Sequence, residues 1–144
     1  MASATVLYTP EVLALTTVLA TYRLDDTLVL RSEARSRSCG STLTLGLALD
    51  GQGRVERVGV RSQACAIGQA SAAIFAQAAL GRSTEEIEAA AHAVTRWLAG
   101  EGELPDWPGL VTIAPARDYP GRHGALLLPW NAALQLLSYN AADG

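Results

Sequence analysis

Leucine recurs at every second position over one stretch of this 144-residue chain, at Leu43, Leu45, Leu47 and Leu49. Small or polar residues stand between the leucines, so the stretch predicts a half-buried strand with one apolar face. The sequence DGQG at residues 50–53 is typical of a hairpin turn, and the segment from Val55 to Val60 is predicted to return as the partner strand. The alternation slips between Val55 and Val58, which predicts a β-bulge in that partner.

The residues on either side of this hairpin have helical patterns. Thr9, Pro10 and Glu11 combine a hydroxyl cap, a proline for the first turn and an acid near the positive end of a helix. The other predicted elements are a first strand over about Thr27–Arg37 and three helices. The first of these helices covers Cys65–Gly81, the second begins with a capping box at Ser83–Glu86, and the third covers about Gly124–Ser138. In the last helix, Pro129 is acceptable only near the beginning. This order predicts an α+β fold class, with a three-stranded antiparallel sheet and helices packed on one face.

Length and composition favour one globular domain over residues 1–144 and exclude several classes of function. The net charge of −3 argues against a nucleic-acid binder. All eleven basic residues are arginine, which excludes Schiff-base and P-loop chemistry because both need a lysine amine. No secretory signal is evident, and no apolar run approaches the roughly 20 residues of a membrane span. We therefore expect neither membrane nor nucleic acid as a partner. Two cysteines are too few for a disulfide framework, so we expect the protein in the reducing cytoplasm.

The two cysteines, Cys39 and Cys65, lie at element boundaries. Cys39 precedes the leucine strand and Cys65 stands where a helix begins, a position that stabilises a thiolate. Arg35 and Arg37 share the parity of Cys39 along an extended strand, so their charge would favour a thiolate there too. A thiolate binds metals and attacks sulfur donors. The alternatives are that both cysteines are small buried apolar residues, or that they form one disulfide.

Three segments of the chain, SCGSTLTLGL, RSQACAIGQASAAIF and RDYPGRHGALLLPWNAAL, resemble the NifU-like, IscU-like and SufU-like family of iron–sulfur cluster assembly scaffolds. In that family a Cys-Gly-Asp begins the second strand, a second cysteine opens a helix rich in serine and alanine, and a third cysteine starts the C-terminal helix. The resemblance covers about Tyr8 to Ser138. It implies a three-stranded antiparallel sheet with helices on one face, and a ligand site where three loops meet.

Matched to the family, Cys39 and Cys65 are the first two cysteines, and two family positions are changed. The aspartate position holds Ser41, and the third cysteine falls on Gly124 or Ala125, depending on where the gap is placed. Zinc and iron–sulfur centres usually have four protein ligands, or three and an open position. The further ligand candidates are His123, whose imidazole binds iron and zinc, and, more weakly, Asp118. The alternative for His123 is a polar residue at a helix start.

The topology also predicts where these candidates meet. Cys39 lies before the second strand and Cys65 after the third, and an antiparallel hairpin brings those points to the same end of the sheet. We therefore expect the two sulfur atoms within metal-bridging or disulfide reach, and, from the resembled fold, His123 at the same end.

Three functional hypotheses follow. The first is a scaffold, not an enzyme, that binds iron, sulfur or a transient iron–sulfur cluster through Cys39 and Cys65 and passes it on, with a cysteine desulfurase and other iron–sulfur assembly proteins as partners. The second is a sulfur acceptor or zinc-holding partner of a cysteine desulfurase, because sulfur transfer needs one reactive thiolate and not four ligands. The third is a non-catalytic interaction domain that kept the fold after losing the site.

Other polar and aromatic residues have simpler interpretations. The arginines Arg31, Arg35 and Arg37 form a solvated strand face or, as the second choice, a docking surface. The tryptophans Trp97, Trp107 and Trp130 are packing residues, because no basic stripe accompanies them. His92 is expected at the surface, and Gln63, Gln69 and Ser71 are either polar neighbours of Cys65 or helix-packing residues.

Overall fold

A three-stranded sheet with helices makes up the part of the chain that this computed structural model describes, residues 7–37 and 40–143. The strands are β1 (Leu30–Arg35), β2 (Thr42–Leu49) and β3 (Val55–Gln63), and the helices are α1 (Pro10–Val18), α2 (Ala66–Ala79), α3 (Thr84–Leu98), α4 (His123–Leu126) and α5 (Leu128–Asp143). Short 3₁₀ helices span Leu19–Thr21, Leu110–Asp118 and Pro120–Arg122. The strands pair antiparallel in the order β1-β2-β3. The predicted α+β fold class is therefore confirmed.

The leucine face of β2 lies in the core, as the alternation predicts. Leu43, Leu45 and Leu47 are at most 1% exposed, and Leu49 is half-buried at the end of the strand. Helix α5 packs on β1 and β2, and α2 packs on β3. The Ser32 hydroxyl of β1 donates a hydrogen bond to a main-chain carbonyl of α5. The two helices that follow Cys65 and Gly124 thus cover the apolar face of the sheet.

The predicted β-bulge is also confirmed, while the strand ends differ from the prediction. Ala48 pairs with Arg57 but Leu49 pairs with Val55, so residue 56 is the extra residue of the bulge. Strand β3 runs to Gln63, three residues beyond the predicted end. Strand β1 ends at Arg35, and the expectation of an extended strand through residue 37 is therefore wrong: the chain already turns after β1.

The opposite face of the sheet is partly covered by the chain itself. Gly46 and Gly59 pair with each other in β2 and β3. A Cβ atom at Gly59 would lie 2.8 Å from the Arg23 carbonyl oxygen, and one at Gly46 would lie 3.0 Å from the Leu28 Cβ. These glycines allow the segment of residues 22–28 to cross the sheet in direct contact and to bury Leu28. The far half of this face, toward the β1–β2 loop, is left uncovered by the crossing.

Hydrogen bonds fix the end of this crossing. The Asp25 carboxylate accepts from the Thr27 backbone N–H at 2.8 Å and from an Arg57 Nη at 2.7 Å. The hydrogen bonds from Thr27, with the nearby Arg57 guanidinium, hold the pKa of the Asp25 carboxyl below its ordinary value. The predicted turn at Asp25-Asp26 is thus tied to β3.

Two predicted helix starts are confirmed in atomic detail. The Thr9 hydroxyl accepts from the Val12 N–H at 3.2 Å. Ser83 and Glu86 form a capping box, in which the Ser83 Oγ accepts from the Glu86 N–H at 3.2 Å and Glu86 Oε1 accepts from the Ser83 N–H at 3.1 Å. The local sequence therefore determines where α1 and α3 begin.

The C-terminal helix differs from its prediction, because it is broken at Leu127 into α4 and α5. Proline has no N–H for the fourth preceding carbonyl, and its ring clashes with that turn, so Pro129 could not lie six residues into one helix. Starting α5 at Leu128 places Pro129 in a first turn. At the break, the buried Ser71 hydroxyl of α2 donates to the Leu126 carbonyl at 2.6 Å.

Aromatic packing holds α2 and α5 together with the loop after α3. Trp107 and Trp130 meet edge to face with ring centroids 4.8 Å apart, and both contact Phe75. The Trp107 indole donates to the Ile74 carbonyl at 3.0 Å. Trp97 is also buried and His92 is exposed on α3, so the packing role of the tryptophans and the surface position of His92 are confirmed. In the ranges that the structure describes, no helix has the length and apolar character needed to cross a bilayer.

Replacing Leu45, which is fully buried, tests this account of the core. We expect Leu45→Ala to lower the free energy of unfolding by about 2–5 kcal/mol, since it deletes packed methyl groups and leaves a cavity. The matched control is Val29→Ala, because Val29 is 82% exposed and should change that energy by about 0.5 kcal/mol or less. Chemical denaturation measures both. Equal losses for the two variants would contradict the assignment of the leucine face.

Candidate functional site

The strand register brings two chain segments to one end of the sheet. Thr42 at the start of β2 pairs with Arg35 at the end of β1 and with Gln63 at the end of β3. The β1–β2 loop and the residues that follow β3 therefore leave the sheet side by side. Cys65 lies two residues after Gln63, and Gly40 lies two residues before Thr42.

The β1–β2 loop is closed by its own main chain. The Ser36 N–H donates to the Ser41 carbonyl at 2.8 Å, and the Gly40 N–H donates to the Ser36 carbonyl at 3.0 Å. Gly40 has a φ of 70°, a left-handed conformation that favours glycine. Ser41 is 5% exposed. Cys39 lies outside the described residues, so its predicted distance from Cys65 remains a prediction.

Cys65 is the N-cap residue of α2 and a free, half-buried thiol. Its carbonyl accepts from the Gln69 N–H at 3.0 Å, and the Gln69 side chain donates to the Ala64 carbonyl at 2.8 Å. Gln69 therefore fixes the main chain on which Cys65 is held. The sulfur of Cys65 lies at the N-terminus of α2, the positive end of the helix dipole. Its side chain makes no capping hydrogen bond to the helix backbone.

The start of the C-terminal helical segment packs against the first turn of α2. A Cβ atom at Gly68 would lie 2.8 Å from the Ala64 Cβ and 3.5 Å from the Ala125 Cβ. Ala125 itself is fully buried. Ala64 and Gly68, which lie on either side of Cys65 in the sequence, are thus close to Ala125, which is two positions after His123. Glycine at position 68 is required by the close approach of Ala64, whereas the distance to Ala125 is that of an ordinary packing contact.

The hydrogen bond of His123 determines which ring nitrogen is available. His123 is half-buried at the start of α4, and its Nε2 lies 2.7 Å from the Arg117 carbonyl oxygen. A carbonyl only accepts, so Nε2 carries the hydrogen and the lone pair of the neutral ring is on Nδ1. Protein metal sites commonly use such a hydrogen bond to orient a histidine ligand. Nothing in the sequence indicates this contact, because it depends on the 3₁₀ turns between residues 117 and 123.

Asp118, the weakest of the four predicted ligands, is exposed at the end of its 3₁₀ helix. Within residues 7–37 and 40–143, no three histidine, cysteine, aspartate or glutamate side chains are grouped closely enough to hold a metal ion. Cys65, His123 and Asp118 are therefore not a ligand set by themselves.

The structure also describes both residues that could replace the third family cysteine. Ala125 is fully buried against the first turn of α2, whereas Gly124 is half-buried. A side chain at position 124 thus has access to the surface, and one at position 125 does not. Ser71, which the sequence left as a neighbour of Cys65 or a packing residue, packs: it donates to the Leu126 carbonyl and accepts from the Trp130 indole at 3.2 Å.

Comparisons with known proteins agree with this architecture. No protein-family model matches the sequence. The iron–sulfur cluster assembly scaffold protein IscU of Thermotoga maritima is 28% identical over 119 residues, which cover 80% of each chain. The crystal structure of the N-terminal part of a nitrogen-fixing NifU-like protein from Brucella abortus has a TM-score of 0.86 at 27% identity, covering 96% of this chain and 97% of that one.

A third similarity concerns the fold alone. A putative iron–sulfur cluster assembly scaffold protein for the SUF system from Fervidobacterium islandicum has a TM-score of 0.83 at 21% identity, covering 92% of this chain and 98% of that one. The resemblance that the three sequence segments indicate is thus confirmed: in sequence and in fold, this chain is similar to NifU-like and IscU-like proteins.

Proposed function

We propose that this protein is an iron–sulfur cluster assembly scaffold that holds iron, sulfur or a transient cluster through Cys39 and Cys65 and passes it to other proteins. The IscU of Thermotoga maritima and the protein from Fervidobacterium islandicum are both named as scaffolds, and neither name describes an enzyme. The observation that carries the proposal is the position of Cys65. It is a free thiol at a helix N-terminus, at the sheet end where the β1–β2 loop also emerges.

The donor set of the proposed site fits a cargo better than a permanent centre. Cys39 and Cys65 supply two thiolates, and the His123 Nδ1 supplies one imidazole nitrogen. Iron–sulfur clusters and zinc ions in permanent sites are usually held by four protein ligands. With three, one coordination position stays open to a sulfur donor or to a receiving protein, which is what a transfer site needs. The same set would also hold zinc.

A second candidate function is that of a sulfur acceptor for a cysteine desulfurase. The observation that favours it is that Cys65 is a free, half-buried thiol at a helix N-terminus, because accepting sulfur needs only one accessible thiolate. The Cys65 thiolate would attack the outer sulfur of a donor persulfide. The new S–S bond forms as the old one breaks, and the donor cysteine leaves as a thiolate, so no oxidant is required.

Disulfide trapping tests whether Cys39 and Cys65 share one end of the sheet. We expect mild oxidation to join them within one chain, and peptide mass spectrometry to identify the bridge, because disulfide formation needs Cα atoms less than about 7 Å apart. The control variant Cys65→Ser with Gly51→Cys places the second thiol in the β2–β3 turn, at the other end of the sheet. Bridging at equal rates in both proteins would contradict the proposed site.

Anaerobic reconstitution with iron, sulfide and thiol tests the cargo. The natural protein should retain iron and sulfide after desalting, whereas Cys39→Ser and Cys65→Ser should not. His123→Ala should retain at least about tenfold less, by analogy with the loss seen when metal-site residues are changed. The matched control is His92→Ala, since His92 is exposed on α3.

Three results would each decide between the cluster scaffold, the sulfur acceptor and the non-catalytic interaction domain. Retention that survives both cysteine substitutions would exclude cluster binding through these thiols. Absence of iron together with a persulfide on Cys65, formed with a desulfurase and cysteine, would favour the sulfur acceptor. Absence of both bound iron and a Cys65 persulfide would favour the hypothesis of a non-catalytic interaction domain.

A further inference from the structure

Strand β1 has one edge that pairs with β2 and one edge that is open in the described part of the chain. The Ser36 N–H donates to the Ser41 carbonyl at 2.8 Å, in the register that pairs β1 with β2. Because strand residues alternate in direction, the N–H and C=O groups of Arg31, Glu33 and Arg35 point away from β2. Among residues 7–37 and 40–143, these outward groups make no main-chain hydrogen bond.

The opposite edge of the sheet is closed by the chain itself. On β3, the Val60 N–H donates to the Tyr22 carbonyl at 2.7 Å, and the Val55 N–H donates to the Arg82 carbonyl at 2.9 Å. The Val55 carbonyl also accepts from the Gly81 N–H at 2.8 Å. Free main-chain groups on an edge strand are a template for pairing with another strand. Of the two sheet edges, β1 is therefore the one at which a further strand can be added.

The charges on the open edge discriminate between the ways in which two copies of β1 could pair. Pairing through the free groups sets odd-numbered residues opposite odd-numbered ones, with the pair centred on Ser32, Glu33 or Ala34. Centring on Glu33 would set Glu33 opposite itself and Arg31 opposite Arg35, and like charges directly opposite one another are destabilising. Centring on Ala34 would set Arg31 beyond the end of the second β1. Centring on Ser32 sets Arg31 opposite Glu33 at two places.

We propose that a second copy of this chain pairs antiparallel with the open edge of β1, with Ser32 opposite Ser32, to form one six-stranded sheet about a two-fold axis. On the outer face, each Arg31 lies opposite Glu33 of the second copy. On the core face, each Leu30 lies opposite Ala34 of the second copy. One register therefore matches opposite charges on one face of the sheet and apolar residues on the other.

The present contacts of Arg31 and Glu33 leave both side chains able to meet across the axis. The Arg31 Nε and Nη2 donate to main-chain carbonyls of the crossing segment, and Nη2 also lies 3.9 Å from the exposed Asp26 carboxylate. These contacts orient the guanidinium and do not use its Nη1. Within one chain, Glu33 has an ion pair with Arg35 at 3.9 Å, with both side chains mostly exposed, and pairs of this kind contribute little.

The helix layer also accommodates a second copy. Helix α5 packs on β1 and β2, so one helix covers two strands. Since neighbouring strands are about 4.8 Å apart, the α5 helices of the two copies would lie about 10 Å apart, a distance at which helices pack. Helix α5 has no charged residue before Asp143, so the two helices do not repel each other.

This inference does not depend on the proposed function. Because the two β1 strands run antiparallel, the β1–β2 loops of the two copies lie at opposite ends of the joint sheet. Neither Ser32 nor Glu33 belongs to the thiol site. Failure of the pairing would therefore leave the cargo proposal unchanged, and failure of the cargo proposal would leave the pairing unchanged.

Sedimentation velocity over a range of protein concentrations tests the pairing. The natural protein should form a reversible dimer, and Glu33→Arg should weaken that dimer at least about tenfold, because it sets Arg31 opposite an arginine at both contacts. The matched control is Glu56→Arg, which makes the same change in charge at an exposed position of β3, the closed edge. A natural protein that stays monomeric at its highest soluble concentration, or equal weakening by the two variants, would overturn the proposal.

Single cysteines along β1 test the register. In a protein that carries Cys39→Ser and Cys65→Ser, we expect Ser32→Cys to form a disulfide-linked dimer under mild oxidation, because the two residues lie directly opposite each other, within the Cα distance of about 7 Å that a disulfide needs. The matched controls are Glu33→Cys and Ala34→Cys, whose Cα atoms would be about 9 Å and about 14 Å apart in this register. Faster linkage of either control than of Ser32→Cys would contradict the proposed pairing.

Discussion

The pairing of Thr42 with Arg35 on one side and Gln63 on the other is the constraint on which the rest of the structure depends. This pairing places the β1–β2 loop beside the start of α2. It also fixes which side chains form the last row of the sheet next to that loop. The pairing is itself held by burial. A slip of one residue would turn the β2 leucines toward water and bring the threonines into the core. The energy of the core thus specifies the position of the site.

The seam between α2 and the C-terminal helices is the second determinant of the site. Ala125 packs against the first turn of α2 beside Gly68, and Ser71 satisfies the Leu126 carbonyl where Pro129 forces the helix to break. The break has a consequence for His123. Because α4 is a separate short helix, His123 lies at its start, where its ring can turn back to the Arg117 carbonyl and leave Nδ1 available.

The parts of the fold that the sequence predicts are those determined by local physics. The leucine alternation, the bulge and the Ser83–Glu86 capping box each depend on residues within a few positions of one another. The crossing of residues 22–28 and the 3₁₀ helices between Leu110 and Arg122 depend on packing between distant segments, so periodicity does not indicate them. One residue in the sequence does indicate the crossing: Gly46 interrupts the strand pattern, and a glycine inside a strand often marks a close approach of another chain segment.

For the site, the sequence predicts which residues are candidates, but not how each is held. Cys65 at a helix start follows from the change of period after it, whereas the hydrogen bond that orients His123 joins residues whose relation depends on the turns between them. Family resemblance supplied the choice of His123, and the structure adds which of its nitrogens faces away from the Arg117 carbonyl.

X-ray absorption at the zinc edge of the zinc-loaded protein tests most directly whether Cys39, Cys65 and His123 converge on one ion. We predict two sulfur ligands at about 2.3 Å and at least one nitrogen ligand at about 2.0–2.1 Å. Cys39→Ser should remove one sulfur, and His123→Ala should remove the imidazole signal while leaving both sulfurs. A single sulfur ligand in the natural protein, or a spectrum that neither substitution changes, would contradict the account.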